Sequence, residues 1–245
     1  MKQFRFFATV LVATGMLYIS SCNSAEEKKV ETTDSDTTAV PSEAPAVTTP
    51  APSGPKMVMT IRHKIANYNK WLPFYEDHDS MRLAYGLHNY VIARGVDDSN
   101  LVMVALIMDD VNKAKELTAT SGMKNQMKKA GVTGPTSIDY LESVMNDTAA
   151  IQQTVRLMVK HKVKDWDSWK KSFDSNHQAR VEAGLTDRVI SHTIGDDHEV
   201  TLVFAVADLE KARNFAKSKE LKAKMAEAGV EGVPDFYYYT IAKRY

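Results

Sequence analysis

The chain of 245 residues has a single cysteine, Cys22, so it can form no intramolecular disulfide and no cysteine-based zinc cluster. It has no excess of either charge. Its 31 Lys+Arg balance 31 Asp+Glu, and a formal net charge of zero sets up no field to attract nucleic acid. Beyond the amino end there is no apolar run near the roughly 20 residues that a spanning helix needs. The Gly-x-Ser-x-Gly of a hydrolase nucleophile elbow is missing. So are the helical spacings His-x-x-x-His and Glu-x-x-His, which leaves no reason to expect a metal. What remains is a chain with 44% apolar residues, enough for one or two compact cores once non-globular ends are set aside.

Residues 1–22 read as an export signal, with Lys2 and Arg5 at the start and an uncharged, mostly apolar run over 6–19. The run ends at Ile19-Ser20-Ser21-Cys22, which resembles the lipobox of bacterial lipoproteins. That resemblance implies that Cys22 is acylated and becomes the first mature residue; an ordinary secretory signal with an incidental cysteine is the other reading. Two or three acyl chains hold a protein stably where one does not. The expectation is therefore a cell-envelope protein, lipid-anchored to a bacterial membrane on its periplasmic or outer-membrane face. Residues 23–55 contain no aromatic residue and are dominated by Thr, Ala, Pro, Ser and Glu. Such a stretch cannot bury enough apolar surface to offset its ordering entropy, so it reads as a disordered tether.

The rest of the chain is written twice. Ile61-Arg62-His63-Lys64-Ile65 returns as Val159-Lys160-His161-Lys162-Val163, an offset of 98 (161 − 63), and the register holds without a gap from Met57/Val155 to Met145/Lys243. Twenty of the 89 aligned pairs are identical, among them Trp71/Trp169, Arg82/Arg180, Gly86/Gly184 and Asp110/Asp208. The repeats occupy 56–146 and 155–245, joined by 147–154. In the second, Val155–Val163 alternates with period two, as a strand does. Large residues at Trp166, Trp169, Phe173, His177 and Val181 then follow helical spacing up to Gly184. β-branched runs at 188–194 and 200–206 flank Gly195 as a hairpin, Asp208 is placed to cap a helix over 209–228, and 236–242 closes as a strand. The order β-α-β-β-α-β, repeated, predicts an α+β chain of two ferredoxin-like units. Each unit leaves one sheet face bare, and packing the two sheet to sheet encloses a barrel within one chain.

The run His161-Lys162-Val163 with Asp165 and Trp169-Lys170, the Ala179-Arg180 pair before Ala183-Gly184-Leu185, and the closing Glu227-Ala228-Gly229-Val230 resemble the dimeric α/β-barrel superfamily. Within it they are similar to the small antibiotic-biosynthesis-monooxygenase-like domains. The resemblance implies a ligand cavity between sheet and helices and no shared substrate. Haem-degrading members of that superfamily place their ligating histidine on the second helix. Here 110–130 and 208–228 hold no histidine, so no haem and no other cofactor is expected.

One set of side chains could line such a cavity: His63 and His161 on the first strands, His78 and His177 with Arg82 and Arg180 on the first helices, and Tyr140 and Tyr238 on the last strands. A histidine on an apolar face is also the mark of a hydrogen-bonded core residue, and the arginines could instead pair with helix acids or cap carbonyls. Trp71 and Trp169 read as core anchors. Two functions fit. One is a membrane-tethered binding module for a small organic ligand or an envelope partner. The other is a cofactor-independent monooxygenase or isomerase-like enzyme for a phenolic or quinol-type substrate, with His63 or His161 as base titrating near 6 to 7 and an arginine holding the oxyanion. Closure within the chain as a pseudo-dimer is favoured by the high effective concentration of tethered halves, although a higher homo-oligomer is open to the same surfaces.

Overall fold

The computed structural model describes residues 56–245; the export signal, Cys22 and the tether expected over 1–55 lie outside the described residues. Sixteen elements follow in two matching sets. The first repeat comprises β1 (Met57–Ile65), α1 (Tyr68–Asp77), α2 (Asp79–Ala84), β2 (Leu87–Gly95), β3 (Leu101–Met108), α3 (Val111–Ala119), α4 (Ser121–Lys129) and β4 (Val132–Asn146). The second comprises β5 (Val155–Val163), α5 (Trp166–Ser175), α6 (His177–Glu182), β6 (Leu185–Thr193), β7 (Asp196–Val206), α7 (Leu209–Lys217), α8 (Lys219–Glu227) and β8 (Val230–Arg244).

The strands form one closed antiparallel barrel in the order β1-β3-β2-β8-β5-β7-β6-β4, so the barrel leaves no sheet edge for another chain to pair with. Shifting that ring by four strands carries every strand onto its copy, so the pseudo-twofold runs along the barrel axis. The halves are sewn together by hydrogen bonds as well as packed. β2 pairs with β8, and the distal part of β4, Leu141 to Asn146, pairs with β6. This is why β4 and β8 reach 15 residues each: their proximal parts pair with β1 and β5, and their distal parts cross to the other repeat. The closing strand expected over 236–242 is longer for that reason.

Apolar side chains on the outward face of each half-barrel pack under helices around Trp71 and Trp169, which are 2% and 3% exposed. A third cluster, including Ala93, Met103, Met158, Tyr237 and Tyr239, fills part of the barrel interior. β3 is apolar at every position because its two faces meet these two cores. At one end the interior is closed by ion pairs between repeats, Arg62 with Asp235 and Lys160 with Asp139. The Tyr237 hydroxyl donates to the Leu101 carbonyl there.

Each helix expected from the sequence is broken into two. Thr120 and Ser218 leave the helix at ψ 143° and 145°, and each starts the next helix by accepting from the backbone N–H of Met123 or Leu221. His78 and Asn176, at φ −99° and −96°, make the corresponding breaks after α1 and α5. A hydroxyl or amide side chain that can bond to nearby backbone offers the chain this exit, whereas apolar periodicity runs straight through it.

Candidate functional site

Two matching pockets lie between sheet and helices, of about 70 Å³ in repeat one and about 80 Å³ in repeat two. The strand period of two places His63 with Met59 and Ile61 on the helix side of β1, and His161 with Leu157 and Val159 on the helix side of β5. The rings are 4% and 6% exposed. His63 meets the Trp71 ring edge-on at 6.0 Å, and His161 lies 5.5 Å from Trp169. Neither ring nitrogen of either histidine has a hydrogen-bond partner among the described residues. Burial pulls both from 6.5 to about 4, so near neutrality each is an uncharged imidazole with one free donor and one free acceptor aimed into apolar surroundings.

Arg82 and Arg180 also line the pockets and both are tied to the protein, although the buried Nε of Arg82 has no partner among the described residues. Arg180 grips Asp187 with Nε and Nη2 at 2.9 and 2.7 Å and donates from Nη1 to the Phe173 carbonyl at 2.6 Å. Arg82 donates to the Tyr75 carbonyl at 2.8 Å and to Asp79 at 3.2 Å. The guanidiniums sit 3.8 Å above Tyr75 and 3.6 Å above Phe173, as stacked roofs. The partner acid has moved between copies: Asp79 and Asn89 in repeat one stand where repeat two has His177 and Asp187. The helix or the strand supplies the acid, and the arginine stays neutralised either way.

The other expected residues divide. His78 lines the first pocket, stacked on Phe74 at 4.4 Å with Nδ1 2.7 Å from the Phe74 carbonyl oxygen. His177, expected near the apolar face, instead has an exposed ring beside Asp187, because α6 begins at His177 and the break at Asn176 turns the helix. Tyr140 is hydrogen-bonded to Thr118 and lines neither pocket. Tyr238 is buried outside the pockets with its hydroxyl unpartnered among the described residues, and burial raises its pKa.

None of the eight expected residues faces the largest cavity. That cavity is the barrel interior, about 450 Å³, within the ~300–1,000 Å³ typical of small-molecule sites. Its wall includes Arg156, Arg188 and Arg244, which the sequence reading did not single out. The available signal was a mismatch in the register of 98, where the first repeat has Val58, Tyr90 and Asn146.

No protein-family model matches the sequence, and no curated protein matches it. Solved structures do match in shape. An anthrone oxidase-like protein aligns over 78% of this chain and 93% of its own at 13% identity and a TM-score of 0.54. A protein from Fusobacterium nucleatum described as a candidate monooxygenase aligns over 78% of this chain and 94% of its own at 12% identity and a TM-score of 0.50. A Listeria monocytogenes ferredoxin-fold protein related to antibiotic biosynthesis monooxygenases aligns over 78% and 96%, at 6% identity and a TM-score of 0.44. At these identities the likeness is one of fold.

Proposed function

We propose that this protein is an envelope lipoprotein, anchored through Cys22, whose tandem α/β barrel binds a small organic ligand in the paired helix–sheet pockets. The observation that carries this reading is the pair of buried imidazoles with four unpartnered ring nitrogens, each ring bordering an apolar pocket. Buried polar atoms are normally satisfied, and a hydroxyl entering each pocket would satisfy these. The pockets are far smaller than drug-sized sites, so what enters is a single ring or short group carrying that hydroxyl. The test is calorimetric titration of the full chain in detergent with phenol. Binding that is lost in the His63→Phe, His161→Phe double variant supports the reading. No binding, or equal binding by the double variant, overturns it. The anchoring is tested by Cys22→Ala, which should move the protein from the membrane fraction to the soluble fraction; retention on the membrane refutes it.

The second reading is a cofactor-independent monooxygenase or isomerase-like enzyme on a phenolic or quinol-type substrate. The same imidazoles favour it, and the names of the neighbours supply a class of substrates to try. Burial works against it, because a base at about 4 lies well below the neutral range that suits general-base catalysis. In the free enzyme the rate would climb around about pH 4 instead of the 6 to 7 expected from the sequence. Turnover unchanged by His63→Ala and His161→Ala would exclude it.

A further inference from the structure

The barrel interior has a polarity that the pseudo-twofold does not predict. That axis runs along the barrel, so positions 98 apart lie at the same height on opposite walls of one cavity. At three such positions the second repeat supplies Arg156, Arg188 and Arg244, and the first supplies Val58, Tyr90 and Asn146; all six line the cavity. One wall is therefore cationic and the facing wall carries no charge. Among the described residues the only acid lining the cavity is Asp147, against three guanidiniums.

The three arginines are held differently. Arg188 is 8% exposed and fixed by Asp147 Oδ2 and the Ala149 carbonyl, each at 2.6 Å. Arg156 is 7% exposed and donates from Nη1 to the carbonyls of Gln153 and Val155, with no carboxylate partner among the described residues. The Arg244 guanidinium has no hydrogen bond or ion pair among the described residues. Burial, and with it the charges of Arg188 and Arg244, pulls the Arg156 pKa below its ordinary value, so the three share one electrostatic space. Like charges gathered in a partly dry cavity are stabilised by an anion among them. Below them the wall turns apolar at Met103, Ala105, Met158 and Val203.

We infer that the barrel cavity is a second binding site, distinct from the helix–sheet pockets, for a small organic anion with an apolar body. Its carboxylate or phosphate is held by Arg156, Arg188 and Arg244, and its apolar part lies along the methionines. A single-chain carboxylate or alkyl phosphate fits this chemistry; a neutral alcohol of the same length lacks the group the arginines recognise. Bidentate pairing is open to either acid, since the guanidinium fork matches both.

The experiment is calorimetric titration of the full chain in detergent with octanoate, octyl phosphate, octanol and octylammonium. Octanoate or octyl phosphate should bind, whichever is tighter naming the head group, and octanol should bind about tenfold more weakly or not at all. The octanoate affinity should fall as salt rises. Arg244→Gln changes an exposed side chain without a partner to lose, so it should leave the fold intact and weaken the preferred anion about tenfold, with Arg244→Lys restoring most of it. The His63→Phe, His161→Phe double variant should bind the anion as the wild type does. Equal binding of octanol and octanoate, octylammonium binding best, no anion binding, or an Arg244→Gln variant with unaltered affinity would each overturn the inference.

Discussion

Replacing both pocket histidines by phenylalanine tests whether their isolation in the core is real. A base whose folded pKa is depressed takes up protons more readily when unfolded, so its contribution to stability is lost as pH falls from the unfolded value of 6.5 toward about 4. At about pH 4.5 the unfolded imidazole is almost fully protonated and the folded one mostly neutral. The loss is then about 2.5 kcal/mol per histidine, or about 5 kcal/mol for the pair. Against a typical total of about 5–15 kcal/mol, that brings the wild type close to unfolding. Phenylalanine does not titrate, and its extra atoms have adjacent free volume of about 70 and 80 Å³ to enter. At pH 7 the double variant should therefore be as stable as the wild type or more so, because unsatisfied buried nitrogens are removed. The assay is urea unfolding of the full chain carrying Cys22→Ala, at pH 7 and at about pH 4.5. His198 has the opposite sign: the Val163 carbonyl raises its pKa, so its contribution is present below 6.5 and lost above the folded value. Glu76, Asp98 and Asp165, held low by their hydrogen bonds, lose their contribution as pH falls through their depressed values. Both proteins share these groups, so they cancel in the difference. Equal losses of stability in wild type and double variant would refute the reasoning.

Asp187→Asn should destabilise by about 3 kcal/mol, because it strands a guanidinium in a pair whose side chains are 8% and 15% exposed. Asp79→Asn, with a carboxylate 42% exposed that accepts from Arg82 at 3.2 Å and from the Asn89 amide at 2.6 Å, should lose only about 1 kcal/mol by the same urea measurement. Gly184→Ala combines φ +75° with a Cβ 3.3 Å from the Asp208 nitrogen, whereas Gly195→Ala at φ +85° meets nothing within 4 Å. Thermal unfolding should show about 2 kcal/mol lost at Gly184 and about 1 kcal/mol at Gly195. Ser218→Ala removes the cap accepted from Leu221, so hydrogen exchange should quicken over the first turn of α8 with a loss of about 1 kcal/mol.

Much of this architecture was legible because duplication doubles every signal. The period of two in Val155–Val163, the Asp208 cap and the Gly184 stop each had an independent copy, and the bare sheet faces required a partner that the second repeat could supply. Asp208 does accept from Lys211, and Gly184 does take positive φ. Less legible was where the cavities lie. In a closed barrel both faces of a strand are buried, so the histidine face and the Arg156, Met158 and Lys160 face of β5 both border enclosed space. Alternation separates two faces without telling which one is hollow. The helix breaks at Thr120 and Ser218 were hidden because a capping hydroxyl leaves apolar periodicity untouched. The tying of Arg180 by Asp187 could not be seen either, since a strand acid and a helix arginine meet only once the fold is known.

The duplication also accounts for why a fused chain can build an interior that a dimer of identical chains cannot. In a symmetric dimer of the second repeat, each of Arg156, Arg188 and Arg244 would face its own copy across the axis. Six guanidiniums would then surround one cavity without Asp147, which belongs to the 147–154 linker and not to the repeat, and desolvating that surplus would oppose assembly. Fusion relaxes the identity. Val58, Tyr90 and Asn146 take the facing positions, so three cations remain on one wall at a bearable repulsion while the helix–sheet pockets keep their twofold likeness. At the other end the same freedom works in reverse. Arg62 and Lys160 are equivalent cations, yet one reaches Asp235 and the other Asp139, acids that are not equivalent in the register. The barrel interior is where a ligand lying on the axis would otherwise have met two identical walls, and there the two repeats differ in charge.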